Sequence, residues 1–235
     1  MVNKTEKNLD GYEFVSLAAH QMRGPVGSIK GYLSMIFDGD FGEIPPVLLE
    51  PLETIFRSTD SLSKTINDFL DTSKMEQGQM RYYLKDFDLV DLLKQTIAEV
   101  QTTVKKELKL EVHLPRNPIV VHGDKTKLKH VFMNLIDNAN KYTESGFVKV
   151  TLERHGQHKV LFSVEDSGIG FSKEVLATLF QKFSRAPEAN KVNSTGTGLG
   201  LYVARKMIEA HHGQIWAESE GEGKGSKFCV DLPSV

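Results

Sequence analysis

The first third of the chain carries two rows of largely apolar residues at helical spacing. Alternating steps of three and four residues place the members of each row on one face of a helix. Between the rows, Asp38–Pro46 is dense in glycine and proline and must break the helix. The pattern predicts a helical hairpin whose rows are Tyr12, Val15, Ala19, Met22, Val26, Ile29, Leu33 and Ile36, then Leu52, Ile55, Thr59, Leu62, Ile66 and Phe69.

Two amphipathic helices of about thirty residues cannot bury both of their apolar faces alone. Two copies of such a hairpin can do so as an antiparallel four-helix bundle. We therefore expect a homodimer formed by a first domain of residues 1–78, which ends within the junction Met75–Met80.

The periodicity changes in the second domain, residues 79–235, where short alternating runs predict strands among several helices. Asp88 and Asp124 are placed as N-caps of helices that run to about Glu107 and Lys141. Helices and strands without regular alternation favour an α+β fold, with a two-layer α/β sandwich rather than a doubly wound sheet. The predicted strands are Tyr82–Phe87, Leu108–Leu114, Ile119–His122, Phe147–Arg154, Lys159–Asp166 and two more after a helix that ends near His211.

Charge and composition exclude several classes of protein. The 29 basic and 31 acidic residues leave a net charge of −2, which gives no electrostatic case for nucleic acid or for an anionic membrane. No apolar run approaches the ~20 residues that span a bilayer, and the single cysteine, Cys229, excludes an intrachain disulfide. We expect a cytoplasmic chain whose first dozen residues resemble the stub of a linker. The input domain is then either an upstream region absent from this chain or a separate protein, and any membrane attachment of the parent protein would lie in that upstream region.

His20 is the first candidate for chemistry. It follows Ala19 of the apolar row, so its ring should lie at the edge of the buried stripe and reach solvent, with Arg23 one turn along. Taken alone, a histidine at this place more often packs the rim of a bundle than it reacts.

A polar stripe forms the second candidate. Asn134, Asn138 and Lys141 are spaced i, i+4 and i+7, which places them on one helix face. Two amides and an ammonium group can orient a phosphate chain and its metal ion, although a solvated helix face is the ordinary alternative.

Two glycine-rich loops complete the set. Asp166 ends a strand and is followed by Gly168 and Gly170, so its carboxylate is available to an exocyclic amine such as adenine N6. The second loop opens a helix and can bind an anion through backbone amides. Neither loop matches a Walker A sequence or a dinucleotide fingerprint. The second loop consists of Gly196, Thr197, Gly198, Leu199, Gly200 and Leu201.

Together, HQMRGP, NLIDNANKYT, DSGIGF and GTGLGL resemble the catalytic core of sensor histidine kinases over nearly the whole chain. The second domain resembles the ATP-binding fold that these kinases share with gyrase and MutL. The resemblance implies that ATP and Mg²⁺ are bound, and that phosphate moves from ATP to His20. From His20 the phosphate passes to an aspartate in the receiver domain of a response regulator.

The resemblance also assigns roles around the nucleotide. It implies that Asn138 holds Mg²⁺ between the phosphates and that Lys141 and Tyr142 contact them. The segment LFQKFSR resembles the phenylalanine box of the family, in which Lys182 and Arg185 reach the phosphates. Its Phe180 and Phe183 would anchor a flexible lid.

Asn134 separates a kinase from an ATPase within this fold. Gyrase-type ATPases have a glutamate at this position that activates water, and an amide cannot serve as a general base. The nucleophile is then the neutral imidazole of His20. Arg23 is placed to neutralise phosphate oxygens beside it, and Pro25 should bend the helix after it.

Three residues depart from the family pattern. Gln21 stands where the family mostly has Glu or Asp, so self-phosphorylation should be slowed but not abolished. Gly24 replaces a side chain that positions water, which predicts weak phosphatase activity, and with Pro25 it suggests a hinge. Asn140 replaces an apolar residue, which we expect to loosen packing. Gln21 and Gly24 also support an alternative, a degenerate scaffold that binds ATP and does not phosphorylate.

Overall fold

The computed structural model describes residues 4–101, 103–186 and 196–235, with side chains from Leu17 onward. The chain divides into two compact units, and the boundary between them falls between Met80 and Arg81.

The first unit is a helical hairpin, as the sequence predicted. Helix α1 spans Lys4–Phe37 and helix α2 spans Pro46–Glu76. Lys30 Nζ lies 2.6 Å from Asp60 Oδ1, and Arg23 hydrogen-bonds Asn67, which fixes an antiparallel register. The two helices are joined by a turn in which Gly39 and Gly42 adopt positive φ.

The hairpin buries only part of each predicted apolar row. Its core contains Ala19, Val26, Ile66 and Leu70. Other members of the rows remain close to half exposed in the single chain: Met22, Ile29, Ile55 and Leu62. Each hairpin therefore presents an apolar face beside its core.

The second unit is a mixed α/β sandwich. Its large sheet has the strand order β2–β4–β5–β7–β6, in which only the β2–β4 pair is parallel, and β1 pairs with β3 in a separate antiparallel ribbon. This confirms the predicted fold class. The elements are β1 Lys85–Asp88, α3 Leu89–Gln101, β2 Leu108–His113, β3 Val120–Gly123, α4 Lys125–Tyr142, β4 Gly146–Arg154, β5 Lys159–Asp166, α5 Lys173–Thr178, α6 Gly200–Ala210, β6 Gln214–Glu218 and β7 Ser226–Pro233.

Helix α4 and strand β5 form the centre of the core. Phe132 and Phe162 are fully buried there, with ring centroids 4.5 Å apart. Cys229 of β7 is also buried, and burial raises the pKa of its thiol to about 11, so it is a small core residue as expected.

Helix caps follow the sequence closely, with one correction. Asp124 Oδ1 accepts hydrogen bonds from the backbone N–H groups of Thr126 and Lys127, as an N-cap does. Asp88 Oδ1 accepts from Val90 N at the start of α3. However, α3 ends at Gln101 rather than near Glu107, because side-chain hydrogen bonds from α4 hold the following segment in a turn.

Among residues 4–101, 103–186 and 196–235, no helix combines the length and apolar character that crossing a membrane requires.

Candidate functional site

The polar stripe of α4 faces the start of α6. A Cβ atom placed on Gly200 would come within 2.9 Å of Asn134 Oδ1, so the carboxamide lies directly against the backbone of the first turn of α6. Within the described part of the chain, Asn134 Nδ2 is buried and has no hydrogen-bond partner. A buried donor of this kind costs free energy unless an acceptor is supplied, so a ligand oxygen fits here.

Backbone amides add to this donor set. Helix α6 begins after Leu199, which provides no side-chain cap, while Thr197 Oγ1 accepts from Leu199 N at 3.2 Å. Gly198 adopts a φ of +69° and lies against the backbone of Phe183 and Ser184, where a side chain would clash. The N-terminus of α6 therefore offers N–H groups and a positive dipole end to an anion.

Asp166 lies at the end of β5 and is buried. Its carboxylate accepts hydrogen bonds from Gly168 N at 2.8 Å and from Ser226 Oγ at 2.6 Å. Thr143 Oγ1 is a third donor, at 3.4 Å. Burial raises the pKa of Asp166, and these three hydrogen bonds oppose the rise. The fixed carboxylate is an acceptor suited to an exocyclic amine.

The loop after Asp166 is packed between two parts of the domain. Ile169 N donates to Tyr142 O at 3.1 Å, at the end of α4. Gly168 lies so close that an added Cβ would meet Thr143 Oγ1 at 2.7 Å. Gly170, with a φ of +58°, packs against the loop between β6 and β7. The geometry of this loop therefore depends on where α4 ends.

Two of the candidate cationic groups, Lys141 and Arg185, lie at the C-terminal end of α4, whereas Lys182 lies beside α6. Lys141 Nζ is 5.2 Å from the ring centroid of Tyr142, and Lys182 Nζ is 5.2 Å from that of Tyr202. Burial raises the pKa of Tyr142, while the charge of Arg185 and its hydrogen bond to the phenol oppose the rise. The Arg185 guanidinium also lies against Gly196. Three of the cations named from the sequence thus lie beside aromatic rings of this domain.

The phenylalanine box differs from expectation at Phe183. This residue has a φ of +60° and its side chain is 63% exposed, so its backbone, rather than its ring, packs against Gly198. The lid itself falls largely on residues 187–195, which lie outside the described residues.

In the hairpin, His20 is exposed while Ala19 before it is buried, which is the edge position that the spacing indicated. Gln21 is exposed as well. Arg23 lies one turn after His20 on α1, and its Nη2 donates to Asn67 Oδ1 of α2 at 3.0 Å. This hydrogen bond holds the guanidinium against α2. Helix α1 continues without interruption through Gly24 and Pro25.

Sequence reasoning missed several partners of the site. Thr143 and Ser226 hold Asp166, and only the position of Thr143 at the end of NLIDNANKYT hinted at this. The loosened packing expected at Asn140 stays a prediction, but the sequence did not foresee the contacts of this residue. Its side chain makes two hydrogen bonds, to Lys105 N and to Thr103 O.

Two family models match the chain. Residues 12–78 match the model of the His Kinase A (phospho-acceptor) domain. Residues 123–235 match the model of the histidine kinase-, DNA gyrase B- and HSP90-like ATPase.

Individual proteins give the same result. The sensor histidine kinase GacS of Pseudomonas protegens is 34% identical over 226 residues, which are 94% of this chain and 24% of that protein. The chain thus spans about a quarter of the length of this relative. The histidine kinase AdeS of Acinetobacter baumannii has a solved structure with 27% identity and a TM-score of 0.62, covering 91% of this chain and 97% of that one. Full-length ShkA in complex with AMPPNP has the same fold at 22% identity, with a TM-score of 0.72, over 95% of this chain and 46% of that one.

Proposed function

Since this chain belongs to the sensor histidine kinases, we propose that it phosphorylates itself on His20 with ATP and passes the phosphoryl group to an aspartate of a response regulator. The observation that carries the proposal is the arrangement of the second unit. There the unpaired Asn134 amide, the uncapped start of α6 and the buried Asp166 carboxylate belong to one domain.

Each group has a part in binding ATP. The Asp166 carboxylate accepts a hydrogen bond from the adenine amine, while the Asn134 amide and the N–H groups of α6 donate to phosphate oxygens. Lys141, Lys182 and Arg185 supply positive charge around the phosphates. Asn138 would hold Mg²⁺ through its amide oxygen, and the ion, when bound, offsets phosphate charge.

The chemical step uses the exposed imidazole of His20. Its neutral nitrogen forms a bond to the γ-phosphorus as the bond from phosphorus to the bridging oxygen breaks, and ADP leaves. Gln21 offers no carboxylate to accept the ring proton, which passes to water instead. Asn134 cannot act as a general base toward water, so transfer to histidine is favoured over hydrolysis.

Three further points belong to the proposal. The exposed apolar residues of the hairpin support a homodimer. The regulator supplies the aspartate through its receiver domain. ATP as the phosphoryl donor places the reaction in the cytoplasm.

Incubation of the protein with γ-labelled ATP and Mg²⁺ tests this function. We expect label on the protein that is stable to alkali and labile to acid, absent in His20→Gln and retained in the control His113→Gln, which alters another exposed histidine. Release of free phosphate without protein label would instead indicate an ATPase. Nucleotide binding with neither product would indicate the scaffold, and both results contradict the proposal.

A further inference from the structure

The end of α4 is tied to the segment that follows α3. Lys105 Nζ donates to the carbonyl oxygens of Lys141 at 3.2 Å and of Thr143 at 2.7 Å. Carbonyls at a helix C-terminus lack partners within the helix and carry the negative end of its dipole. The Lys105 ammonium group thus neutralises the end of α4 and fixes where it stops.

Asn140 completes the tie from the other side. Its Oδ1 accepts from Lys105 N at 3.3 Å, and its Nδ2 donates to Thr103 O at 3.2 Å. An amide supplies one acceptor and one donor side by side, which an apolar residue cannot do. We call Lys105 and Asn140, with their four hydrogen bonds, the α4 latch.

The α4 latch acts on the residues that build the Asp166 loop. Thr143, whose carbonyl binds Lys105, is fully buried and donates through Oγ1 to Asp166. The neighbouring Tyr142 carbonyl accepts from Ile169 N. A shift of Thr143 and Tyr142 would therefore move both the carboxylate and the glycine loop beside it.

We propose that Lys105 and Asn140 are positioning residues that set the preference for adenine over guanine. The inference rests on the proposed ATP site. Adenine presents an amine donor at C6, whereas guanine presents a carbonyl oxygen there. A carboxylate held in place by Thr143 accepts from the amine and repels the carbonyl. Once the α4 latch is broken, Thr143 no longer fixes this carboxylate, which stays bound by Gly168 N and Ser226 Oγ but shifts relative to the base.

Calorimetric titration of the full chain with non-hydrolysable ATP and GTP analogues tests the proposal. For Lys105→Met and Asn140→Ala, we expect affinity for the ATP analogue to fall about five- to tenfold and the ATP-to-GTP ratio of affinities to narrow by a similar factor. Each variant removes two of the four hydrogen bonds of the α4 latch and so displaces the acceptor that binds the adenine amine. Lys105→Arg should restore the ratio, because a guanidinium also reaches two carbonyls.

Lys129→Met is the matched control. Lys129 Nζ pairs with Glu99 Oε1 and also joins α4 to α3, away from the end of α4, so its loss should leave the ratio unchanged. If both latch variants keep the wild-type ratio of affinities for the ATP and GTP analogues, the inference is overturned. Equal losses for both analogues, together with a lower melting temperature, would show a merely structural role and also overturn it. Failure of the wild-type chain to bind the ATP analogue would overturn the proposed function itself.

Discussion

At the scale of residues, hydrogen-bonding capacity explains the positions of two polar side chains that residue type alone did not explain. Asn140 was expected to loosen packing because an amide is polar, yet it pairs with a backbone N–H and a backbone C=O. The partial burial of this side chain therefore carries little of the usual penalty for a polar group. The same reasoning applies to His211, which no sequence motif marked.

His211 is a buried histidine that joins the end of α6 to the start of α4. Its Nε2 accepts from Asp124 N at 2.8 Å, and its Nδ1 donates to Met207 O at 2.7 Å. This pattern requires the neutral ring, because a protonated ring has no acceptor. Asp124 in turn caps α4 and accepts from Tyr83 N. Burial is the main cause that lowers the pKa of His211, helped by the nearby His212 and opposed by the Met207 carbonyl and the Asp124 charge.

The lowered pKa of His211 predicts a loss of stability in mild acid. The folded state disfavours protonation of His211, so the neutral ring contributes its full stabilisation above the pKa of the unfolded chain, near ~6.5. This stabilisation is lost as the pH falls below that value, by up to about 1.4 kcal/mol of unfolding free energy per pH unit. Urea unfolding between pH 5 and pH 8 measures this slope. His211→Gln should flatten it and the exposed control His158→Gln should not, whereas equal slopes for all three proteins would contradict the assignment.

At the scale of elements, α1 combines an uninterrupted helix with poor helix formers. Gly24, Pro25 and Gly27 follow His20 closely, and the proline leaves the Gln21 carbonyl without its helical donor. Apart from the backbone of its own helix, no atom of the described residues lies within 4 Å of a Cβ placed on Gly24 or Gly27, so packing within the single chain does not demand glycine there. We infer that the glycines allow bending next to His20, the proposed site of phosphorylation.

Gly24→Ala tests this interpretation of α1. Alanine should stabilise the helix by about 1 kcal/mol, slow amide exchange around His20 and change the rate of self-phosphorylation. Gly31→Ala is the control, since its site in the same helix is equally open, and it should stabilise the protein without changing the rate. Unchanged exchange and unchanged activity in Gly24→Ala would rule out a hinge.

At the scale of the whole molecule, the apolar face of the hairpin supports the proposed homodimer. Met22, Ile29, Ile55 and Leu62 each expose between 45% and 49% of their surface in one chain. Exposed apolar residues in such a row favour burial against a second copy. The apolar rows predicted from the sequence therefore supply residues both to the core of one hairpin and to the proposed dimer contact.

Ile29→Glu should dissociate the dimer. Burying an unpaired carboxylate costs several kcal/mol, so we expect the dimer to weaken about a hundredfold or more in sedimentation equilibrium. Arg57→Glu places a carboxylate at an exposed position of α2 two residues from Ile55, on the opposite face of the helix, and should leave association unchanged. A wild-type chain that sediments as a monomer at micromolar concentration would contradict the homodimer.

The sequence by itself determined the hairpin and the α/β sandwich, and it named the residues of the proposed nucleotide site. Apolar periodicity, N-cap chemistry at Asp124 and the spacing of glycines act over a few residues, and such local effects are readable without coordinates. This is why most helices and strands were placed within a few residues of their observed ends.

Only the tertiary structure decided which distant groups meet. Thr143 and Ser226 converge on Asp166, and Lys105 meets the end of α4, across separations of tens of residues that no local pattern encodes. The early end of α3 has the same origin, because the Asn140 side chain competes for backbone groups that a longer helix would use. Side-chain hydrogen bonds between distant segments depend on the packed fold, so they could be observed there and not foreseen.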